Sequence, residues 1–191
     1  MTEDELFLTS ILKCRRVDLF TEIHNLTSAQ EQELEQMRIR RQNGEPIQYI
    51  LGTCDFMGFE LAVDRGVLIP RPETELMVDH AIKEFAQYDP NRVLRILDLG
   101  TGSGNIAIAL ASKIENCYVT TLDISQEAIR LARQNAARHH VDHKIDFVQY
   151  DLITFLFESH FRATKYDLII SNPPYIPTMD IRRLPKDVQH E

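Results

Sequence analysis

The sequence predicts an α/β fold, in which helices cover both faces of a parallel sheet, preceded by a small helical segment and a β-hairpin. Three observations carry this prediction. After residue 91, apolar β-branched runs alternate with helical patterns in regular succession. Before residue 91, a helical region is followed by a stretch whose apolar residues recur with period two. The 191 residues, 43% of them apolar, suffice for one full domain with a small appendage.

The N-terminal residues are predicted to form helices that end before a proline. Thr2 with Glu5, and Ser28 with Glu31, have the spacing of capping boxes. The run Asn43-Gly44-Glu45-Pro46 ends the second helix, because glycine adopts the left-handed cap conformation and proline prevents continuation. Residues 1–45 are therefore predicted to form a helical segment.

The next residues predict a linker and a hairpin, followed by a long helix. Between Gly52 and Ile69 the apolar period changes toward two, and Met57-Gly58 and Asp64-Arg65-Gly66 interrupt it as turns. Residues 46–72 are assigned to this region. Pro72 then suits the first position of a helix that runs to about Gln87.

Residues 73–191 are predicted to form the sheet domain. Strands are expected at residues 94–99, 118–122, 145–149 and 167–171. Helices are expected at residues 105–114 and 126–139, with a shorter one at 153–160.

Charge and cysteine content narrow the function classes. The net charge of −8 argues against a protein whose main task is to neutralise nucleic-acid phosphates. The acidic N-terminus is unlike a secretory signal, and no apolar run is long enough for a membrane span. Three scattered cysteines indicate neither a disulfide framework nor a zinc site. We expect a cytoplasmic protein that binds a small molecule and a protein, with no metal, no membrane and no direct nucleic-acid contact.

A glycine-rich turn follows the first strand of this domain and begins its first helix. It contains Gly100, Gly102 and Gly104 at alternate positions, separated by Thr101 and Ser103. A merely tight turn needs fewer glycines, and a dinucleotide site would have glycine where Asn105 stands. The spacing resembles the S-adenosylmethionine turn of Rossmann-like methyltransferases.

Acidic residues lie at, or just after, the ends of the next two predicted strands. Asp123 lies 19 residues after Gly104, where a carboxylate can accept hydrogen bonds from both ribose hydroxyls. Pairing with Ser125 at a helix start is compatible with this role and is the alternative interpretation. Asp151 can accept from an adenine amino group or cap a helix, and Leu152 would then pack against the adenine.

The tetrapeptide Asn172-Pro173-Pro174-Tyr175 follows the last predicted strand, at the sheet edge where open α/β sheets bind ligands. Together with the glycine turn, it resembles the motif of methyltransferases that modify a planar nitrogen, either an amide or the exocyclic amine of a base. The delocalised lone pair makes such a nitrogen a poor nucleophile. The Asn172 side-chain oxygen and the Pro173 carbonyl would each accept one N–H, and Tyr175 would stack on the amide plane. Positioning of this kind can supply several kcal/mol toward the reaction.

Taken together, these motifs resemble the peptide chain release factor N5-glutamine methyltransferases, the PrmC or HemK family. The matching segments occur in the family's order over about three quarters of the chain. They are Gly44-Glu45-Pro46-Ile47, Ile69-Pro70-Arg71-Pro72-Glu73-Thr74-Glu75, Asp98-Leu99-Gly100-Thr101-Gly102-Ser103-Gly104, Asp123 and Asn172-Pro173-Pro174-Tyr175-Ile176. The Pro-Arg-Pro-Glu-Thr-Glu segment discriminates this family from its sisters that act on a ribosomal protein.

The resemblance implies methylation of the glutamine amide in the Gly-Gly-Gln loop of release factors, in support of translation termination. The residues implied to hold S-adenosylmethionine are Gly100, Thr101, Gly102, Ser103, Gly104, Asp123, Asp151, Leu152 and Asn172. The glutamine would be held by Asn172, Pro173, Pro174 and Tyr175, of which Asn172, Pro173 and Tyr175 would be catalytic. The helices of residues 1–45 would help to dock that substrate.

The chain differs from the family pattern at both ends. Its helical segment is shorter, and it stops at Glu191 where relatives continue into further strands. We therefore expect an incomplete Rossmann-like sheet, truncated at its C-terminus, whose apolar edge at residues 168–170 lacks a neighbour. A polypeptide of this kind is expected to be poorly soluble or to associate.

Two other functions compete with this one. A DNA or RNA adenine amino methyltransferase uses the same tetrapeptide type on a flipped base, but would need a basic channel. The other is a non-catalytic remnant that binds cofactor or release factor without turnover.

Overall fold

The computed structural model describes residues 2–21, 25–89, 91–155 and 164–173. The chain divides into two compact units, one formed mainly by residues up to Gly52 and the other running from Thr53 to Ile176. The predicted domain boundaries after residues 45 and 72 stay predictions. Across the described residues, no helix combines the length and apolar character needed to cross a membrane.

The first unit contains helices α1 (Glu3–Leu12), α2 (Asp18–Thr21), α3 (Ser28–Gln42) and α4 (Ile47–Leu51). Its small core is built on Phe7, Leu34 and Ile50. The capping box at Thr2 and Glu5 is confirmed.

The capping box predicted for α3 at Ser28 and Glu31 is wrong by one residue. Thr27 is extended and its hydroxyl accepts from the Gln30 backbone N–H, whereas Ser28 is already helical. The predicted and the observed capping box of α3 begin one residue apart, and both Thr27 and Ser28 are good capping residues.

Helix α3 ends at Gln42 as predicted, and Gly44 has a φ of 90°. Its neighbour Glu45 is buried, and Arg40 donates two hydrogen bonds to that carboxylate at 2.8 and 2.7 Å. This pairing raises the pKa of Arg40. Helix α4 was not predicted, because its five residues are too few for a helical period to show.

The second unit begins with the predicted hairpin. Strands β1 (Thr53–Phe56) and β2 (Phe59–Ala62) pair in antiparallel fashion, with Phe56 opposite Phe59. Met57 and Gly58 between them both have positive φ, which the two-residue turns of tight hairpins require. Helix α5 (Pro72–Phe85) follows, with Pro72 at its first position as predicted, and ends two residues earlier than expected.

The sheet consists of four parallel strands in the order β5-β4-β3-β6. They are β3 (Leu94–Leu99), β4 (Cys117–Asp123), β5 (Ile145–Gln149) and β6 (Leu168–Ser171). The accompanying helices are α6 (Asn105–Lys113), α7 (Gln126–Arg138), a short 3₁₀ helix (Asp142–Lys144) and α8 (Leu152–Phe155). The prediction of a parallel sheet with flanking helices is confirmed, with boundaries within a residue or so; residues 156–160 of the predicted third helix lie outside the described residues.

The larger core lies on one face of this sheet, where α5, α6, α7 and the hairpin contribute buried apolar residues. On the other face, Leu97 and Leu122 form a smaller cluster with Tyr150 and Tyr166. Helical cover of this second face stays a prediction. Among the described strands β6 pairs with β3 alone, and Ile169 is 61% exposed.

Candidate functional site

The polar motifs meet where the parallel strands end. Strand β3 leads into the glycine turn, β4 ends at Asp123, and β6 leads into Asn172. Because β3 pairs with both β4 and β6, all three ends lie side by side at the carboxyl edge of the sheet. This edge is the usual ligand side of an open α/β sheet.

The glycine turn is held by the backbone and shaped by close packing. The N–H groups of Gly100 and Thr101 both donate to the Leu122 carbonyl at 2.9 Å. Gly104 has a φ of 84°, and a Cβ built there would lie 3.0 Å from the Ala132 Cβ. Gly102 has a φ of 51°, but nothing lies within 4 Å of a Cβ placed on it. The turn is therefore packed against α7 at Gly104 and open at Gly102, where a ligand can approach the backbone.

Asp123 joins this turn to the start of α7. Its Oδ2 accepts from the Gly102 N–H at 3.0 Å, and its Oδ1 accepts from the Ser125 N–H at 2.9 Å. Ser125 in turn caps α7 by accepting from the Ala128 N–H at 3.2 Å. The predicted pairing of Asp123 with Ser125 is thus present. A carboxylate has about four acceptor positions, so this pairing leaves positions for ribose hydroxyls.

A buried carboxylate stands beside the turn. Asp98 has no exposed surface, and its Oδ2 accepts from the Thr121 hydroxyl at 2.7 Å. Burial raises the pKa of Asp98 to about 7; the Thr121 hydrogen bond lowers it and the nearby Asp123 charge raises it. The Thr101 and Thr121 hydroxyls also hydrogen-bond to each other. Asp98 begins the glycine-rich sequence motif, but no role was predicted for it.

Two buried polar atoms at this place have no hydrogen-bond partner among the described residues: Asp98 Oδ1 and Ser103 Oγ. Buried polar atoms are rarely left unpaired, and such orphans at a site indicate a missing ligand or water. An open glycine backbone, two carboxylates and two unpaired atoms fit a ligand that carries hydroxyl and amino donors, such as S-adenosylmethionine. Acidic residues here disfavour a phosphate.

A cavity of about 310 Å³ adjoins the ends of β4 and β5. The described residues that line it are Ile124, Gln149, Tyr150, Asp151 and Thr154. Asp151 directly precedes α8 and accepts from the Thr154 hydroxyl at 3.2 Å. Its role toward adenine, and that of the half-buried Leu152, stay predictions.

Sequence reasoning missed Ile124, which follows Asp123 and is 69% exposed. An apolar side chain of this size at a cavity wall suits the face of an aromatic ring. The sequence feature that could have indicated Ile124 as a ligand contact is a branched apolar residue directly after the acidic end of a strand.

Asn172 follows β6 directly. Leu99 and Ser171 are paired, and the Ser171 hydroxyl donates to the Leu99 carbonyl at 2.7 Å, so Asn172 lies beside the entry to the glycine turn. The Asn172 Nδ2 donates to the Thr74 hydroxyl at 2.7 Å. Pro173 is exposed. Pro174 and Tyr175, two of the predicted substrate-binding residues, lie outside the described residues.

A parallel α/β sheet with a glycine turn after one strand, an acidic residue after the next and an Asn-Pro motif after a third defines the methyltransferase class. Residues 90–187 match the family described as "Methyltransferase domain", and the chain belongs to that family. Residues 2–52 match the family described as "PrmC N-terminal domain". The two matches follow one another along the chain.

Two curated relatives of this chain carry the same name. The chain is 39% identical over 188 residues to the release factor glutamine methyltransferase of Chlorobaculum tepidum, covering 97% of this chain and 64% of that protein. It is 38% identical to the protein of the same name from Dictyoglomus turgidum, covering 99% of this chain and 64% of the relative. The chain thus spans slightly under two thirds of the length of these relatives.

A solved structure supports the fold. The S-adenosylmethionine-dependent methyltransferase from Agrobacterium tumefaciens superposes with a TM-score of 0.54 at 21% identity. The superposition covers 64% of this chain and 39% of that one.

Proposed function

We propose that this chain transfers a methyl group from S-adenosylmethionine to the side-chain amide nitrogen of the glutamine in the Gly-Gly-Gln motif of peptide release factors. The observation that carries the proposal is the meeting of the glycine turn and Asn172 at the ends of two paired strands. The names of the curated relatives support both the reaction and its substrate.

The residues proposed to hold S-adenosylmethionine lie on three neighbouring loops. The open backbone from Gly100 to Gly104 would lie against the cofactor, and Asp123 would accept hydrogen bonds from its ribose hydroxyls. Asp98 and Ser103, whose buried atoms lack partners among the described residues, supply further polar contacts. Asp151, Leu152 and Ile124 surround the adenine. The bound cofactor supplies a methyl group on a sulfonium, which is an electrophile.

Asn172 and Pro173 are proposed to orient the glutamine amide. The Asn172 Oδ1 and the Pro173 carbonyl each accept one N–H, which aims the nitrogen lone pair at the methyl carbon. The nitrogen–carbon bond forms as the carbon–sulfur bond breaks, and the bonding pair remains on sulfur as a neutral thioether. The alkylated nitrogen is acidic and loses a proton to water, so no strong base is needed. Tyr175 is predicted to stack on the amide plane.

The helices of the first unit are proposed to dock the release factor, since residues 2–52 match a domain family of the same enzymes. The net charge of −8 is consistent with a protein substrate in the cytoplasm rather than with nucleic acid. A membrane partner is not part of the proposal.

The proposal is tested by incubating the chain with methyl-labelled S-adenosylmethionine and either a peptide release factor or unmethylated DNA. Mass spectrometry should locate the label on the glutamine of the Gly-Gly-Gln peptide. A release factor whose motif glutamine is replaced by alanine is the matched control and should stay unlabelled. A methylated adenine would support the nucleic-acid alternative, and cofactor binding without any product would support the non-catalytic one; either outcome overturns the proposal.

A further inference from the structure

The Pro-Arg-Pro-Glu-Thr-Glu segment has no role in the reaction as described so far. The structure brings one of its side chains against the proposed catalytic asparagine. Thr74 lies in the first turn of α5 and is 3% exposed. Its hydroxyl oxygen accepts from the Asn172 Nδ2 at 2.7 Å, although the two residues are 98 positions apart in sequence.

This contact matters because the two ends of an asparagine amide are chemically opposite. One end carries the carbonyl oxygen, an acceptor, and the other carries an NH₂ group, a donor. A half-turn about χ2 exchanges them at little intrinsic cost. In this structure the NH₂ end is held by Thr74, so the carbonyl end points away from Thr74.

We propose that Thr74 is a positioning residue, whose hydroxyl holds the Asn172 side chain by accepting from its NH₂ end, so that the amide oxygen can receive the N–H of the substrate carboxamide. This inference rests on the proposed function. With the amide turned around, an NH₂ group would meet the substrate NH₂ group, and two donors repel each other. The Thr74 hydroxyl can accept from either N–H of the Asn172 NH₂ group, so it holds the Asn172 side chain in place while the substrate N–H meets the oxygen end.

The first turn of α5 is itself anchored, so the Thr74 hydroxyl has a fixed place. Pro72 occupies the first helical position, and the neighbouring Glu75 accepts from the Met57 N–H in the hairpin turn at 3.0 Å. Thr74 also donates its backbone N–H to the Arg71 carbonyl at 3.0 Å. The segment therefore connects the hairpin to the end of β6.

The same hydrogen bond could instead serve only to link α5 to β6. That structural role and the positioning role lead to different experimental results. Loss of a tether lowers stability and loosens the cofactor site, whereas loss of a positioning contact lowers turnover alone. Replacement by valine keeps the shape of threonine and removes its hydroxyl, whereas serine keeps the hydroxyl and removes the methyl group. The two variants together separate the two roles.

The first measurement is steady-state methylation of a release factor by the wild type, Thr74→Val and Thr74→Ser. We expect the kcat of Thr74→Val to fall about tenfold to a hundredfold, since small misplacements of reacting groups have such costs. Affinity for S-adenosylhomocysteine and the melting temperature should stay near wild type, and Thr74→Ser should recover most of the turnover. A Thr74→Val kcat equal to that of wild type, or equal losses in both variants, overturns the inference.

The second measurement needs no activity. The side-chain NH₂ resonances of Asn172, identified by their absence in Asn172→Ala, should shift in Thr74→Val and return toward the wild-type position in Thr74→Ser. Unshifted resonances in Thr74→Val would show that Thr74 does not hold the amide. A wild type that labels no release factor while these resonances shift would refute the proposed function and leave the Thr74 contact supported.

Discussion

The two halves of the site are built in different ways. The cofactor half is held largely by backbone groups: the Gly100 and Thr101 N–H groups on Leu122, and the Gly102 N–H on Asp123. These partners lie about twenty residues apart, on consecutive strands of one βαβ unit. In the substrate half, the described contact of the Asn172 side chain is with Thr74, on a helix that comes before the sheet in the chain.

This difference predicts different consequences of mutation. A backbone-built half is disturbed mainly through its glycines and its bridging carboxylates, and such changes affect stability and affinity together. The half that relies on side chains is disturbed by removing single functional groups, and such changes affect turnover with little effect on folding.

Asn172→Ala should lower kcat by about a hundredfold to a thousandfold, because it removes an acceptor placed for the reacting nitrogen. The melting temperature should change little, since the side chain is only partly buried. Steady-state kinetics and thermal unfolding measure the two quantities. The exposed Asn91→Ala variant is the matched control and should keep full turnover; an Asn172→Ala enzyme that turns over at the wild-type rate would remove this residue from its role.

Gly104→Ala should reduce the free energy of unfolding by about 2–4 kcal/mol, combining a left-handed backbone with overpacking. The new Cβ would lie 3.0 Å from the Ala132 Cβ and 3.1 Å from the Ile108 Cδ1. Denaturant titration measures the loss. Gly102→Ala, which has free space around its Cβ, should cost only about 1 kcal/mol. Equal losses at the two glycines would show that packing against α7 is not what shapes the turn.

Asp123→Asn should weaken binding of S-adenosylhomocysteine about tenfold to a hundredfold, because hydrogen bonds to a charged acceptor contribute roughly 1.5–3 kcal/mol. The amide keeps the shape of the carboxylate but places a donor against the Gly102 or Ser125 N–H. Isothermal titration calorimetry gives the dissociation constant. Asp146→Asn, on an exposed position of β5, serves as control. Unchanged affinity would exclude Asp123 from the ribose site.

Asp98 should make stability depend on pH. Its pKa is raised to about 7, so between its ordinary value and about 7 the folded protein holds a proton that the unfolded chain has lost. The free energy of unfolding should therefore fall as pH rises toward 7 and level off above it. From about pH 6 to about pH 7.5 the fall is about 1 kcal/mol relative to Asp98→Asn. Parallel pH dependences of the two proteins would contradict a raised pKa.

Much of the cofactor half could be predicted from the sequence because its contacts join residues of a single βαβ unit. Three alternate glycines between a strand and a helix require positive φ, and an acidic residue at the next strand end falls beside them in any βαβ unit. Strands β3 and β5 also match their predicted boundaries.

The rest depended on tertiary structure. The Thr74–Asn172 contact joins residues 98 positions apart. The periodicity of apolar residues does not indicate which helix lies next to the end of β6. The burial of Asp98 depends on β4 and β6 flanking its strand. Helix α4 and the shifted cap at Thr27 were missed because single-turn helices and neighbouring capping residues leave almost no distinguishing pattern.

The most direct test is a crystal structure of the chain with S-adenosylhomocysteine. We expect the ribose hydroxyls to bind the Asp123 carboxylate and the thioether sulfur to lie beside Asn172, with the Asn172 Nδ2 still hydrogen-bonded to Thr74. A ligand seated instead at the amino ends of the strands, in the cavity of about 250 Å³ lined by Phe85, Tyr88 and Arg92, would contradict it.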